Sequence, residues 1–129
     1  MKYLFLALAK IIFFSAIIFS LTSCSKSKKE LLAKDWKATD LTFAGVTLTG
    51  DQVSLVYSFK NDGTFSRTED GKTQDGKWDL TADDKKLELT LTDGNAKLEK
   101  AVKELTDDKL VLEGEENTMQ RTETFAVVK

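Results

Sequence analysis

The residue types able to do chemistry are few, and the first is a lone cysteine, Cys24, in a chain of 129 residues that contains no histidine. A thiolate serves as nucleophile or metal ligand when a neighbouring cation or base activates it, and histidine is the commonest such base and the commonest transition-metal ligand. Cys24 has only Ser23 and Ser25 beside it. Among the 21 acidic residues, the pairs Asp83-Asp84, Asp107-Asp108 and Glu115-Glu116 fall at predicted turns, whereas a general acid needs burial to raise its pKa. Asp62-Gly63 and the other Asp-Gly steps lack the regular oxygen-ligand spacing of a calcium loop. The glycines stand singly, so no phosphate-cradling run is predicted. These absences lead to the expectation of no metal, no cofactor and no enzymatic activity.

The use of Cys24 must then come from what precedes it. Met1 to Leu21 carries only Lys2 and Lys10 as charges, with apolar runs from Tyr3 to Ala9 and from Ile11 to Phe19, the pattern of a secretory signal. Reading Tyr3 to Leu21 as an uncleaved span would place Lys10 near the bilayer centre, at a cost of about 2.5–3.5 kcal/mol. Leu21-Thr22-Ser23-Cys24 resembles the lipobox of bacterial lipoproteins. That resemblance implies a diacylglycerol thioether on Cys24, cleavage just before it, and a further acyl chain on the new amino terminus. Two or more chains give the stable membrane attachment that one does not.

The expected organisation is therefore a signal peptide over 1–23, a lipidated cysteine with its tether over 24–33, and one domain over 34–129. Removing 1–23 leaves 17 basic against 21 acidic side chains, a net of −4, which argues against a nucleic-acid partner. Ser25-Lys26-Ser27-Lys28-Lys29 reads as a flexible spacer whose lysines suit an anionic lipid surface. Acidic residues in this place mark some surface-exported lipoproteins. The basic tether instead favours an outer-membrane protein facing the periplasm, with exposure at the cell surface left open.

A domain of this size without disulfides depends on burial and strand pairing. Val53, Leu55, Tyr57 and Phe59 alternate with wetter residues, as do Trp78 and Leu80, and Leu87, Leu89 and Leu91, which predicts strands with one packed face. Trp36 and Ala38 share one parity and Leu41 and Phe43 the other, so the first strand should bend or bulge near Asp40. Asn61-Asp62-Gly63, Asp70-Gly71, Asp75-Gly76 and Asp93-Gly94 are predicted turns between apolar runs. Leu98, Ala101, Val102 and Leu105 have helical spacing, but the strand-turn-strand pattern that follows assigns 97–105 to a strand. Thr122 to Val128, with Phe125 and Val127 on one side, closes the set.

Lys34-Asp35-Trp36-Lys37, Tyr57-Ser58-Phe59-Lys60-Asn61-Asp62-Gly63-Thr64-Phe65, Gly76-Lys77-Trp78-Asp79-Leu80 and the hairpin from Leu105 to Leu112 resemble the lipocalin-like domains of small bacterial lipoproteins. Lys34 stands where true lipocalins carry the glycine of Gly-x-Trp. The resemblance implies an all-β fold, a single antiparallel up-and-down meander barrel of about eight strands. Its expected lining is Trp36, Tyr57, Phe59, Phe65, Trp78, Leu89 and Phe125. These side chains either enclose a small hydrophobic ligand or simply fill the barrel, and a small domain's need for aromatic burial favours filling. Two functions follow: a membrane-anchored binder of a small apolar molecule, or a module that binds another envelope protein.

Overall fold

The computed structural model describes residues 26–129. Leu21, Thr22, Ser23 and Cys24 lie outside the described residues. A short helix, α1 (Lys28–Leu32), is followed by nine strands: β1 (Asp35–Phe43), β2 (Val46–Thr49), β3 (Leu55–Phe59), β4 (Thr64–Glu69), β5 (Lys72–Thr81), β6 (Lys86–Leu91), β7 (Lys97–Leu105), β8 (Lys109–Glu116) and β9 (Met119–Val127). From β3 onward each strand pairs antiparallel with the next, and β9 returns to pair with β1. The circuit from β1 and β3 to β9 thereby closes on itself, with β2 paired on one side only.

β2 does not add a stave. It pairs with Asp40–Phe43 of β1, whereas β3 pairs with Asp35–Lys37 of the same strand. β2 and β3 thus share one side of β1, interrupted by a 3₁₀ turn at Gly50–Gln52, and the closed circuit counts eight strands.

Two bulges explain the irregular spacing in the sequence. The β1–β9 register shifts between Ala38 and Asp40, so an extra residue turns Leu41 to the same inner side as Trp36 and Ala38. The β7–β8 register shifts between Val102 and Glu104, which brings Val102 and Leu105 to one side despite a three-residue separation. That bulge is the source of the helix-like pattern in 97–105. Asp75-Gly76, in contrast, is no turn: it lies within β5, opposite Phe65 and Leu91. A Cβ at Gly76 would stand 2.0 Å from the Thr90 carbonyl oxygen and 2.8 Å from Phe65 Cε1. Here glycine serves close approach of strands rather than reversal.

The two ends of the barrel differ. At one, α1 forms a cover: the Ser27 side chain accepts from the Glu30 N–H, Leu32 is fully buried, and the Trp36 indole N–H donates to the Leu32 carbonyl at 2.9 Å. Within the stretch 24–33, the chain from Ser27 onward therefore packs onto the barrel. The opposite end carries the turns at 44–45, 70–71, 92–96 and 117–118 and stays open. It is the mouth.

Candidate functional site

Alternation along the strands determines what meets inside. All seven expected lining residues, Trp36, Tyr57, Phe59, Phe65, Trp78, Leu89 and Phe125, are buried in one apolar cluster. Five of their rings touch in a chain. Tyr57 stacks on Phe59 at 5.2 Å, Phe125 meets Tyr57 edge-on at 5.5 Å, Trp78 meets Phe59 edge-on at 5.6 Å, and Phe65 lies 6.2 Å from Phe59. Centroids at these separations are in direct contact, so the closed half of the barrel is filled by its own rings. The Trp78 indole N–H is also committed, donating to the Lys60 carbonyl at 2.9 Å.

Above this aromatic layer the same inward parity passes to charged residues. On β4 the inner series runs Phe65, Arg67, Glu69; on β8 it runs Leu112, Gly114, Glu116; on β9 it runs Phe125, Glu123, Arg121. β7 adds Lys100, which lies with Arg67 and Glu123 among the buried charged side chains. Lys100 Nζ sits 2.7 Å from Glu123 Oε1 and 3.7 Å from Glu116 Oε1. Arg67 reaches Glu116 at 2.9 Å and Glu69 at 2.7 Å. Arg121 reaches Glu69 at 2.6 Å and Glu116 at 2.9 Å.

Three cations thus meet three carboxylates in a neutral lattice across the barrel. Burial is costly for each charge and tolerable only because every one has opposite partners. Arg121 Nε approaches Glu123 Oε2 to 3.2 Å without hydrogen-bond alignment, so that contact is coulombic only. Tyr57 joins the layers, its ring lying under the Arg67 guanidinium at 5.7 Å. Burial, reinforced by Glu123, pushes its phenol well above the ordinary range. Burial pushes Glu116 upward too, but Lys100, Arg67 and Arg121 together outweigh it and hold that carboxyl below its usual value. Side chains each held by several ion-pair partners make the floor of what lies above.

The mouth lies on that floor. A cavity of about 190 Å³ is bounded on one side by Leu41, Phe43, Leu48, Leu55 and Met119 and on the other by Glu69, Asp70, Glu116 and Arg121. Its rim exposes Val46 and Met119, at 53% and 44%. A more open polar depression shares Glu69, Glu116, Asn117 and Arg121 with it. Such a volume falls below the roughly 300–1,000 Å³ of pockets that enclose drug-sized ligands. It suits a single side chain or a fragment of similar size.

The sequence places Glu115-Glu116 at a predicted turn and offers no role for Lys100; the structure puts Glu116 and Lys100 inside. The sequence holds a usable signal, since Phe65-x-Arg67-x-Glu69 and Arg121-x-Glu123-x-Phe125 keep the two-residue phase of the core without a break. Among the described residues no group of three or more Cys, Asp or Glu side chains is arranged to hold a metal ion.

Comparison with known proteins agrees with this architecture. A family model described as a lipocalin-like domain matches residues 32–112. Among solved structures, a lipocalin-like protein from Bacteroides uniformis is similar, with a TM-score of 0.57 and 23% identity over 76% of this chain and 99% of its own. At that identity the likeness concerns the fold. No curated protein matches the chain.

Proposed function

We propose, from the premise that this chain belongs to the lipocalin-like domain family, that it is a lipid-anchored envelope module acting by binding rather than by catalysis, with the mouth of its barrel as the recognition surface. The observation that carries the reading is the filled interior. Rings occupy the closed half and the ion lattice closes the rest, so an apolar molecule has no deep chamber to enter. What remains at the mouth is a small cavity with Met119 exposed beside it, adjoining an open polar depression of about 420 Å³. A protein presenting one apolar side chain beside a cation fits it, because Glu69, Glu116 and Arg121 are engaged within the lattice and Asp70 remains at the cavity wall. The other reading, a small hydrophobic ligand, is restricted by the same geometry to the mouth.

The anchor follows from Leu21-Thr22-Ser23-Cys24, and the basic residues after it favour an outer-membrane location facing the periplasm. Tritiated palmitate should label the wild type and not Cys24→Ala; label in the variant refutes the anchor. A photoreactive phenylalanine analogue at Met119 should give a discrete cross-linked species in cells, and the same group at Glu88, on the outer wall, should not. Equal products from both positions, or products from Glu88 alone, refute the mouth as the recognition surface.

A further inference from the structure

The proposed anchor, on which this inference depends, also determines how the barrel stands on the membrane. Ser27, which caps α1, follows Cys24 by three residues, and an extended chain spans at most about 3.6 Å per residue. The lipidated residue therefore lies within roughly 10 Å of the closed end. Lysines on either side of Ser27 are already engaged there: Lys26 pairs with Asp107 at 3.3 Å, Lys29 pairs with Asp79 at 2.9 Å, and Lys28 Nζ donates to the Leu105 carbonyl at 3.4 Å. With Leu32 buried in the core, α1 cannot swing away without exposing it. β9 holds nine residues, and at about 3.3 Å per residue with a tilt near 40° the wall stands roughly 20–25 Å high. The mouth is at the far side of that wall.

We infer that the closed end rests against an anionic lipid surface while the mouth opens away from it into water. The pose rests on the short tether and not on net charge, because the closed end exposes Asp62, Asp83, Asp84, Asp107 and Asp108 beside its lysines. Lys26 and Lys29 are more than half exposed within their ion pairs, so such pairs exchange readily for lipid phosphates. At the mouth Glu69 and Glu116 are already neutralised within the ion lattice, and Asp70 is the carboxylate of the cavity lining that stands outside it. The functional consequence is directional: a partner reaches the mouth from the aqueous compartment, and lipid of the anchoring leaflet cannot enter it.

The test uses the full lipidated protein in vesicles of phosphatidylethanolamine and phosphatidylglycerol. Acylated Cys24 leaves an introduced thiol as the sole labelling site, so Lys85→Cys reports on the closed end and Lys72→Cys on the mouth; both positions are exposed. Each carries a fluorophore, and lipids with nitroxide headgroups quench it. Quenching severalfold stronger at position 85 than at 72 is expected. Equal quenching at both, or the reverse order, in protein that floats with the vesicles overturns the orientation and leaves the anchor intact. Protein that does not float overturns the anchor, and the orientation with it.

Discussion

Lys100 and Glu123 meet across the barrel interior at 2.7 Å, on strands separated by β8, with both side chains sealed from solvent. On the intervening strand Gly114 is in register with Arg121 and leaves room for the Lys100 stem: a Cβ there would lie 3.3 Å from Lys100 Cγ and 2.8 Å from the Glu99 carbonyl oxygen. The lattice is thus built around a gap left by a missing side chain.

Breaking this pair from one side should be severe. Lys100→Met leaves Glu123 buried with only the misaligned Arg121 contact, and the expected loss is about 3–5 kcal/mol, the usual range for an orphaned buried charge. The double variant Lys100→Met/Glu123→Leu should recover much of that loss. Urea unfolding of the two variants gives the comparison, and a double variant no better than the single would show that the pair is not the unit of the lattice.

The interior glycines carry a second expectation. Gly114→Ala should cost about 1–3 kcal/mol, the usual penalty for overpacking, because the Glu99 carbonyl oxygen lies 2.8 Å from the added Cβ. Gly76→Ala should cost more, since there the Thr90 carbonyl oxygen lies only 2.0 Å away. Thermal unfolding monitored by tryptophan fluorescence ranks them, and equal, negligible effects would contradict the close approach at both sites.

Acid should weaken the fold through Glu116. Its carboxyl is held below its ordinary value near 4.5 in the folded chain, so its stabilising contribution is present in full above that value and fades as pH falls through the lowered one. Asp62, Asp79 and Asp107, held down by hydrogen bonds from Thr64, Lys29 and Lys26, act in the same direction, but they are exposed and salt screens them. Glu116→Gln should therefore flatten the decline in stability below about pH 5 measured at high salt. An unchanged slope would remove Glu116 as its cause.

Much of this architecture was legible in the residues. The two-residue alternation of Val53 to Phe59 and Leu87 to Leu91 identifies strands, and the parity break between Ala38 and Leu41 locates a bulge. What misled was chemistry read without phase. Gly76 follows an aspartate, like the true turn at Asp70-Gly71, and only the packing of Phe65 and Thr90 against it reveals its different role. Arg67, Lys100, Glu116 and Glu123 were passed over because charged residues are seldom buried, and their pairing joins strands distant in sequence. Lys100 and Glu123 are 23 residues apart, Arg67 and Glu116 49.

The position of α1 sets a fourth expectation. Leu32→Ala should cost about 2–5 kcal/mol, as for other buried leucines. Deleting the chain through Ala33 should destabilise the barrel at least as much, whereas a domain beginning at Ser25 should keep full stability. Chemical denaturation of the three forms decides the matter, and a stable domain lacking 26–33 would return α1 to the status of a tether.

The central claim is that the barrel is filled, and the most direct test is titration of the domain from Ser25 onward with N-phenyl-1-naphthylamine, a probe of apolar chambers, while following energy transfer from Trp36 and Trp78. The account predicts no saturable transfer and no change at Trp36, which lies in the ring-filled half. Saturable one-to-one binding that quenches Trp36 and is lost when Phe125 or Tyr57 is replaced would contradict it.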